Sequence, residues 1–378
     1  MQFKTLKIYN LNQKIRAHYR RLRGKPEMRA NYIVACPSCF HDQGLKLLAE
    51  KTAFQMAGAC PNCKTRSPKK IRLSELQWIA HTFFVWGTFQ RAEYGGYPAV
   101  VFNERQTTSI SFSDWLSLDV KLIEQILGVG FFLYGPRFWM FGEVEPLKGL
   151  QDKNIRTTVI QRVVSEYPTK TIDQDTLLYR VRKDVKNPDT ASEYDSPPLG
   201  LEGTGRLDSS GFPVLYASSD LEVCVHECRV AAEDEIFVAT LKPTRKLKLL
   251  DLSGVLAEEN VTEFESLDIA IHMLFLAEKH SYEISREISL ASKRAGYDGI
   301  IYPSYFSLLR TSAMPFMTTY GISHRRVPEM RESENRKMIP NVAIFGRPIE
   351  KGDLAVACIN RLMINAVEYS LHFGPVKF

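Results

Sequence analysis

The chain is 378 residues long, with 44% hydrophobic and 24% charged residues, which excludes large-scale disorder and leaves room for two or three domains. No apolar run approaches the ~20 residues needed to span a bilayer, and Met1 to Arg29 lacks the unbroken apolar core of a signal peptide, so a cytoplasmic protein with no membrane partner is expected. The net charge of +6 is uneven: the first 72 residues hold sixteen of the 49 Lys and Arg against Glu27, Asp42 and Glu50, a local +13, and the remainder sums to −7.

The head, residues 1–72, carries two CxxC pairs, Cys36-Pro-Ser-Cys39 and Cys60-Pro-Asn-Cys63. Each pair sits on a tight turn that aims two thiolates at one point, and two such turns complete a tetrahedral shell for zinc. A closed four-cysteine site has no position left for substrate, which makes the expected zinc structural. His41 is close enough to compete as a ligand, but four thiolates suffice. Basic residues flank the ribbon: Arg16, Arg20, Arg21, Arg23, Lys25 and Arg29 before it, Lys64, Arg66, Lys69, Lys70 and Arg72 after it. Such density suits nucleic acid, and it equally suits a solvated face or an acidic partner.

Residues 73–172 read as a mainly helical connecting or sensing domain. Trp78, Thr82, Val85 or Trp86 and Phe89 recur at helical spacing from a start at Ser74, and the pattern ends near Glu93 to Gly96. A second helix is predicted from the capping Ser113 through Trp115, Leu118, Leu122, Ile126 and Leu127 to Gly128. Leu127 to Tyr134 reads as a buried strand or helix. His81 is expected to pack, and no nucleophile or metal constellation falls in this segment.

From about residue 173 to 378 the texture changes to strands, and five pieces follow in a specific order. They are Tyr179-Arg180-Val181, Gly203-Thr204-Gly205-Arg206, Leu215-Tyr216-Ala217-Ser218, His226-Glu227, and Gly296 to Ser304, closed by Asn341-Val342-Ala343-Ile344-Phe345. Together they resemble the RES-domain family over roughly Leu177 to Phe378. Two departures are Leu207, where an aromatic often follows the arginine, and a long insertion from Tyr305 to Pro340. The resemblance implies an α+β chain whose C-terminal part is a mixed β core like that of ADP-ribosyltransferases. It further implies a toxin that consumes NAD by hydrolysis, phosphorolysis or transfer, and an antitoxin-type partner protein.

The residue types suit that chemistry. Cleaving the nicotinamide-ribose bond passes through a ribosyl cation and calls for a carboxylate near the developing charge and cationic clamps on the pyrophosphate. Glu227 is the expected carboxylate, on a helix opened by a Ser219/Glu222 capping box with Leu221, Cys224 and Cys228 as its buried stripe. A surface helix glutamate paired with Arg229 or a neighbour is the bland alternative. Arg180 and Arg206 are the expected clamps; Arg182 shares Arg180's side of its strand, and the position after Tyr179 favours Arg180. Tyr216 is expected to stack on nicotinamide or bond ribose, and Ser304 to position the substrate. Cys224, Cys228 and Cys358 are expected in the core. Lys183 to Gly203 and Tyr305 to Pro340, the latter with Arg325 and Arg326, are expected either to fold over the site, to bind a partner, or to be inert.

An NAD-consuming toxin-like enzyme with a zinc-containing head is therefore the leading expectation. A mono-ADP-ribosyltransferase keeps the same site and changes the acceptor. A non-catalytic zinc protein that binds nucleic acid is the third reading.

Overall fold

The structure, a computed structural model, describes residues 31–88, 99–134, 144–201, 205–277, 279–311, 318–319, 322–367, 371 and 373–378. The basic residues Arg16 to Arg29, the expected helix end at Glu93 to Gly96, and Gly203-Thr204 lie outside them. The described residues fall into two compact units, one of residues 31–134 with 371–378 and one of residues 144–367.

In the first unit β1 (Ile33–Ala35), β2 (Phe54–Gln55) and β3 (Lys69–Arg72) form an antiparallel sheet in the order β1-β3-β2. Asp42 caps the Gln43–Thr52 helix, its Oδ1 accepting from Leu45 N at 2.9 Å. The Leu73–Ala80 helix opens one residue before the expected Ser74, with Glu75 accepting the Arg72 backbone N–H, and passes into wider and tighter turns over His81–Val85 and Trp86–Thr88. The second predicted helix is present as Asp114–Leu116 and Ser117–Leu127, closed by Gly128 at φ 65°, a left-handed position that favours glycine. β4 (Ala99–Asn103) pairs antiparallel with β5 (Gly130–Tyr134), so the apolar run after Gly128 is a strand.

Cys36, Cys39 and Cys60 share one hydrophobic core with Leu45, Ile71, Phe84 and Phe131. That core crosses residue 72, where the sequence suggests a boundary. Asp119 fastens the two sides: its buried carboxylate accepts the backbone N–H groups of His41, at 2.9 Å, and Asp42, at 2.7 Å, just past Cys39.

The second unit is built on eight strands: β6 (Thr169–Ile172), β7 (Leu178–Lys183), β8 (Val214–Ser218), β9 (Ile236–Pro243), β10 (Leu247–Asp251), β11 (Gly299–Pro303), β14 (Pro340–Phe345) and β15 (Leu354–Leu362). Two short strands, β12 (Thr318–Thr319) and β13 (Ile322–Ser323), form a separate hairpin. The sheet order is β15-β9-β7-β8-β14-β11-β10-β6, antiparallel throughout except for β10 with β11. With the helices around it, this large mixed sheet makes the unit α+β. β6 belongs to the sheet, and the Arg156–Glu166 helix packs into the same core, so residues 144–172 join this unit.

Register sorts the side chains between the two faces. Tyr302 pairs with Asn341, Asn341 with Ser218, Ala343 with Tyr216, and Ser218 with Tyr179, which places all six on one face. The Leu267–Leu276 and Tyr282–Arg294 helices cover that face with Leu274, Phe275, Ile284 and Ile288. Leu178, Leu215, Ala217, Ala239, Val342 and Ile344 form the core of the opposite face.

Candidate active site

The Leu221–Glu227 helix follows β8 directly. Its cap is Asp220, one residue later than the expected Ser219: Oδ1 accepts from Val223 N at 2.9 Å, and Oδ2 takes Arg310 Nη2 at 3.1 Å. Glu222 closes no capping box and pairs with Arg310 Nη1 at 2.6 Å. Cys224 and Cys228 lie on the buried side as expected, donating S–H to the carbonyls of Tyr179 at 3.1 Å and Val181 at 3.3 Å. Burial pushes the Cys224 thiol up to about 12, so it is inert at neutral pH.

Glu227 is the last residue of that helix, and Arg229 is not its partner. Its Oε1 accepts from Ser304 Oγ at 2.7 Å and from Asn341 Nδ2 at 2.6 Å; Oε2 takes no hydrogen bond among the described residues, and the side chain is exposed. Ser304, fully buried just past β11, also accepts from Phe306 N at 3.1 Å. Tyr302 feels the charges of both Glu227 and Arg206. Burial pushes its phenol well up, the Glu227 charge adds to this, and Arg206 and the Asn341 amide oppose it.

Arg206 sits in the Gly205 to Asp208 loop. Its Nη1 and Nη2 donate to the carbonyls of Leu274 at 3.2 Å and Ala277 at 2.8 Å, and its guanidinium lies 4.7 Å from the Tyr282 ring centre. Tyr282 thus supplies the stacking that Leu207, buried in the core, does not. The Tyr216 hydroxyl is committed to the same loop: it accepts from Leu207 N at 2.8 Å and Asp208 N at 3.1 Å and donates to Asp208 Oδ1 at 2.7 Å. The phenol therefore braces the loop, and its hydroxyl is not held ready for a ribose.

Arg180 stands apart. It pairs across the sheet with Ala239, so it points to the face opposite Glu227, Asn341 and Tyr216. It donates to the carbonyls of Tyr216 and Asp195, each at 2.9 Å, and its Nε has no partner among the described residues. Burial, then the nearby Arg182 charge, brings its guanidinium down to about 10. The structure thus joins Ser304 to Glu227 and Tyr216 to the Arg206 loop, and it turns Arg180 to the other face of the sheet. Sequence reasoning missed Asn341 and Tyr302; the signal available for Asn341 was a lone amide within an apolar strand.

The two long segments are anchored. In the 184–201 stretch, Tyr194 is fully buried, and Asp195 Oδ2 accepts Glu350 N at 2.8 Å. Arg325 makes a buried bidentate pair with Asp268 at 2.7 Å, and Arg326 pairs with Glu258 at 3.2 Å, so both arginines are structural. Cys358 is exposed, contrary to the expected core position. β15 is the outermost strand, and the irregularity between Val356 and Cys358 shifts its alternation.

In the first unit Cys36, Cys39, Cys60 and Cys63 cluster within 4.8 Å, with Sγ separations of 3.9, 3.6 and 3.6 Å for 36–39, 36–63 and 39–60. A tetrahedron with zinc–sulfur bonds of about 2.3 Å has edges of about 3.8 Å, so the four thiols can hold a zinc ion. Asn62 Nδ2 approaches Cys39 Sγ at 3.4 Å, while His41 contributes only its backbone N–H, to Asp119. The basic run after the ribbon is less available than its composition suggests. Lys70 is buried and donates to the carbonyls of Met56, Gly58 and Ser67, and Arg72 is paired with Glu75 and stacked 3.9 Å from the Phe54 ring centre.

Residues 177–313 match the family model described as the RES domain. No curated protein matches the chain. Among solved structures, the M. tuberculosis MbcT–MbcA toxin–antitoxin complex aligns at 15% identity and a TM-score of 0.29, covering 54% of this chain and 91% of that chain.

Proposed function

We propose, from the match of residues 177–313 to the RES domain, that the chain is a toxin-like enzyme that consumes NAD by breaking the nicotinamide-ribose bond. The observation that supports this best is the Glu227 carboxylate, with one oxygen held by Ser304 and Asn341 and the other open, on the sheet face that Arg206 also serves.

In this reading the open oxygen of Glu227 accepts a ribose hydroxyl and stabilises the positive charge that grows at the anomeric carbon. The C–N bond breaks, its electron pair leaves on the pyridine nitrogen as neutral nicotinamide, and water or phosphate captures the cation and releases a proton. Ser304 and Asn341 fix the carboxylate's orientation at no cost during the reaction. Arg206 clamps the diphosphate, with Tyr216 holding its loop. Arg180 becomes a brace for the sheet, where the sequence alone favours it as a clamp and catalytic residue. The four cysteines bind a structural zinc. NAD loss then arrests growth, restrained by an antitoxin-type partner.

Incubation of the full chain with NAD, with and without phosphate, is the direct test. Release of nicotinamide with free ADP-ribose or its phosphate is expected, and Glu227→Ala should abolish it. Label fixed on a macromolecule would instead assign transfer, and the absence of any nicotinamide would refute the reading.

A further inference from the structure

Three residues of the Tyr282–Arg294 helix, spaced i, i+3 and i+4 and so on one face, all act on Gly205 and Arg206. The Tyr282 ring faces the Arg206 guanidinium at 4.7 Å. The buried Ser285 Oγ donates to the Arg206 carbonyl at 2.7 Å. Arg286 donates twice to the Gly205 carbonyl, from Nε at 3.1 Å and Nη2 at 2.8 Å.

These bonds fix both peptide planes that flank the Arg206 Cα. The plane between Gly205 and Arg206 is held by Arg286. The plane between Arg206 and Leu207 is held from its oxygen side by Ser285 and from its nitrogen side by the Tyr216 hydroxyl. With both planes set, the direction in which the Arg206 side chain leaves the backbone is set too. The loop has no slack: a Cβ on Gly205 would lie 2.0 Å from Asp208 Oδ1.

We propose that Arg286 is a positioning residue for Arg206 and, through it, makes the site select ligands that carry a diphosphate over those with a single phosphate. This rests on the reading of Arg206 as the diphosphate clamp. Arg286 acts on the Gly205 carbonyl, and this contribution reaches the ligand through the guanidinium that it aims.

The test compares the full chain with Arg286→Ala and Arg286→Lys, using calorimetric binding of ADP-ribose and of nicotinamide mononucleotide, and KM and kcat for NAD. Loss of one charge-assisted hydrogen bond from the aiming of Arg206 should weaken ADP-ribose binding and raise KM by about tenfold in Arg286→Ala. Mononucleotide binding should change by less than about twofold, and lysine, which keeps one N–H for the Gly205 carbonyl, should recover most of the loss. Equal weakening of both ligands, a fall in kcat alone that follows the melting temperature, or no ADP-ribose binding by the unaltered chain would overturn it. If the unaltered chain binds ADP-ribose but releases no nicotinamide from NAD, the reaction assigned above fails, and the binding comparison still decides the role of Arg286.

Discussion

Asn341 Nδ2 and Ser304 Oγ converge on the same oxygen of Glu227, at 2.6 and 2.7 Å, although Asn341 lies 114 residues from Glu227 in the chain. Two donors on one oxygen leave the carboxylate with one orientation and one open acceptor. Ser304→Ala and Asn341→Ala should each slow nicotinamide release by about tenfold, and Glu227→Gln by about a hundredfold or more. Asn341→Asp is more diagnostic, because it sets a second carboxylate against Glu227. Like charges at that distance repel, so the carboxylate loses a donor and is turned out of its fixed orientation. Nicotinamide release should fall further in Asn341→Asp than in Asn341→Ala, and equal losses in the two variants would count against that contact.

Arg180 and Arg206 should part company in mutants. Arg180→Ala leaves the buried carbonyls of Tyr216 and Asp195 without their donor, at about 1–3 kcal/mol for each unsatisfied group. Melting should fall by several degrees while KM for NAD in the folded fraction stays within about threefold. Arg206→Ala also strips a donor from the carbonyls of Leu274 and Ala277, so it should melt lower as well, but it should in addition raise KM by about tenfold or more. Calorimetry and steady-state kinetics on the two variants separate the roles, and a large KM effect at Arg180 would return it to the site.

Local signals carried much of this molecule and stopped where register began. The helix ending at Gly128 was legible because apolar spacing and a left-handed terminal position agree, and the four cysteines because turn spacing and coordination number agree. Alternation along β7 correctly groups Arg180 with Arg182 against Tyr179 and Val181. It says nothing of which group shares a face with Glu227, since that follows from the pairing of Tyr179 with Ser218. The cap of the Glu227 helix failed for a smaller reason: Ser219 and Asp220 are both good caps, and one residue of phase decides between them. Lys70 reads as a surface cation because a lysine stem at an irregular ribbon turn hides its head only in three dimensions.

The helix that carries Glu227 should loosen in acid. Burial raises the Asp220 carboxyl, but the Val223 N–H and the Arg310 guanidinium outweigh it and hold the group below its ordinary value. A carboxyl with a depressed folded pKa adds stability that is fully present above the unfolded pKa of about 3.9 and is lost as pH falls through the lower folded value. Asp220→Asn keeps a capping oxygen while removing the charge opposite Arg310, so it should melt slightly lower at neutral pH and show less acid-dependent loss below about pH 4. Asp220→Ala should lose the cap as well, at about 1 kcal/mol. Thermal melts from pH 3 to 7 on the three proteins check the sign; identical pH slopes in the parent and Asp220→Asn would show that the pair contributes nothing.

The sulfur geometry predicts about one zinc per chain and a fold that depends on it. Cys36, Cys39 and Cys60 are core residues of the first unit, in a shared cluster with Ile71, Phe84 and Phe131. Loss of the metal would leave three buried thiolates or thiols without their common partner. The Asp119 carboxylate, anchored to His41 and Asp42 next to the Cys39 turn, would lose its fixed donors with them. The disturbance should therefore reach the Ser117–Leu127 helix, well beyond the ribbon itself. Cys36→Ser or strong chelation should abolish bound zinc by elemental mass spectrometry and remove hydrogen-exchange protection across residues 31–88 and 99–134. Protection across β7, β8, β11 and β14 should persist, because those strands have their own core. Retained protection from 117 to 127 in the metal-free protein would show that the ribbon is an appendage and not part of that unit's core.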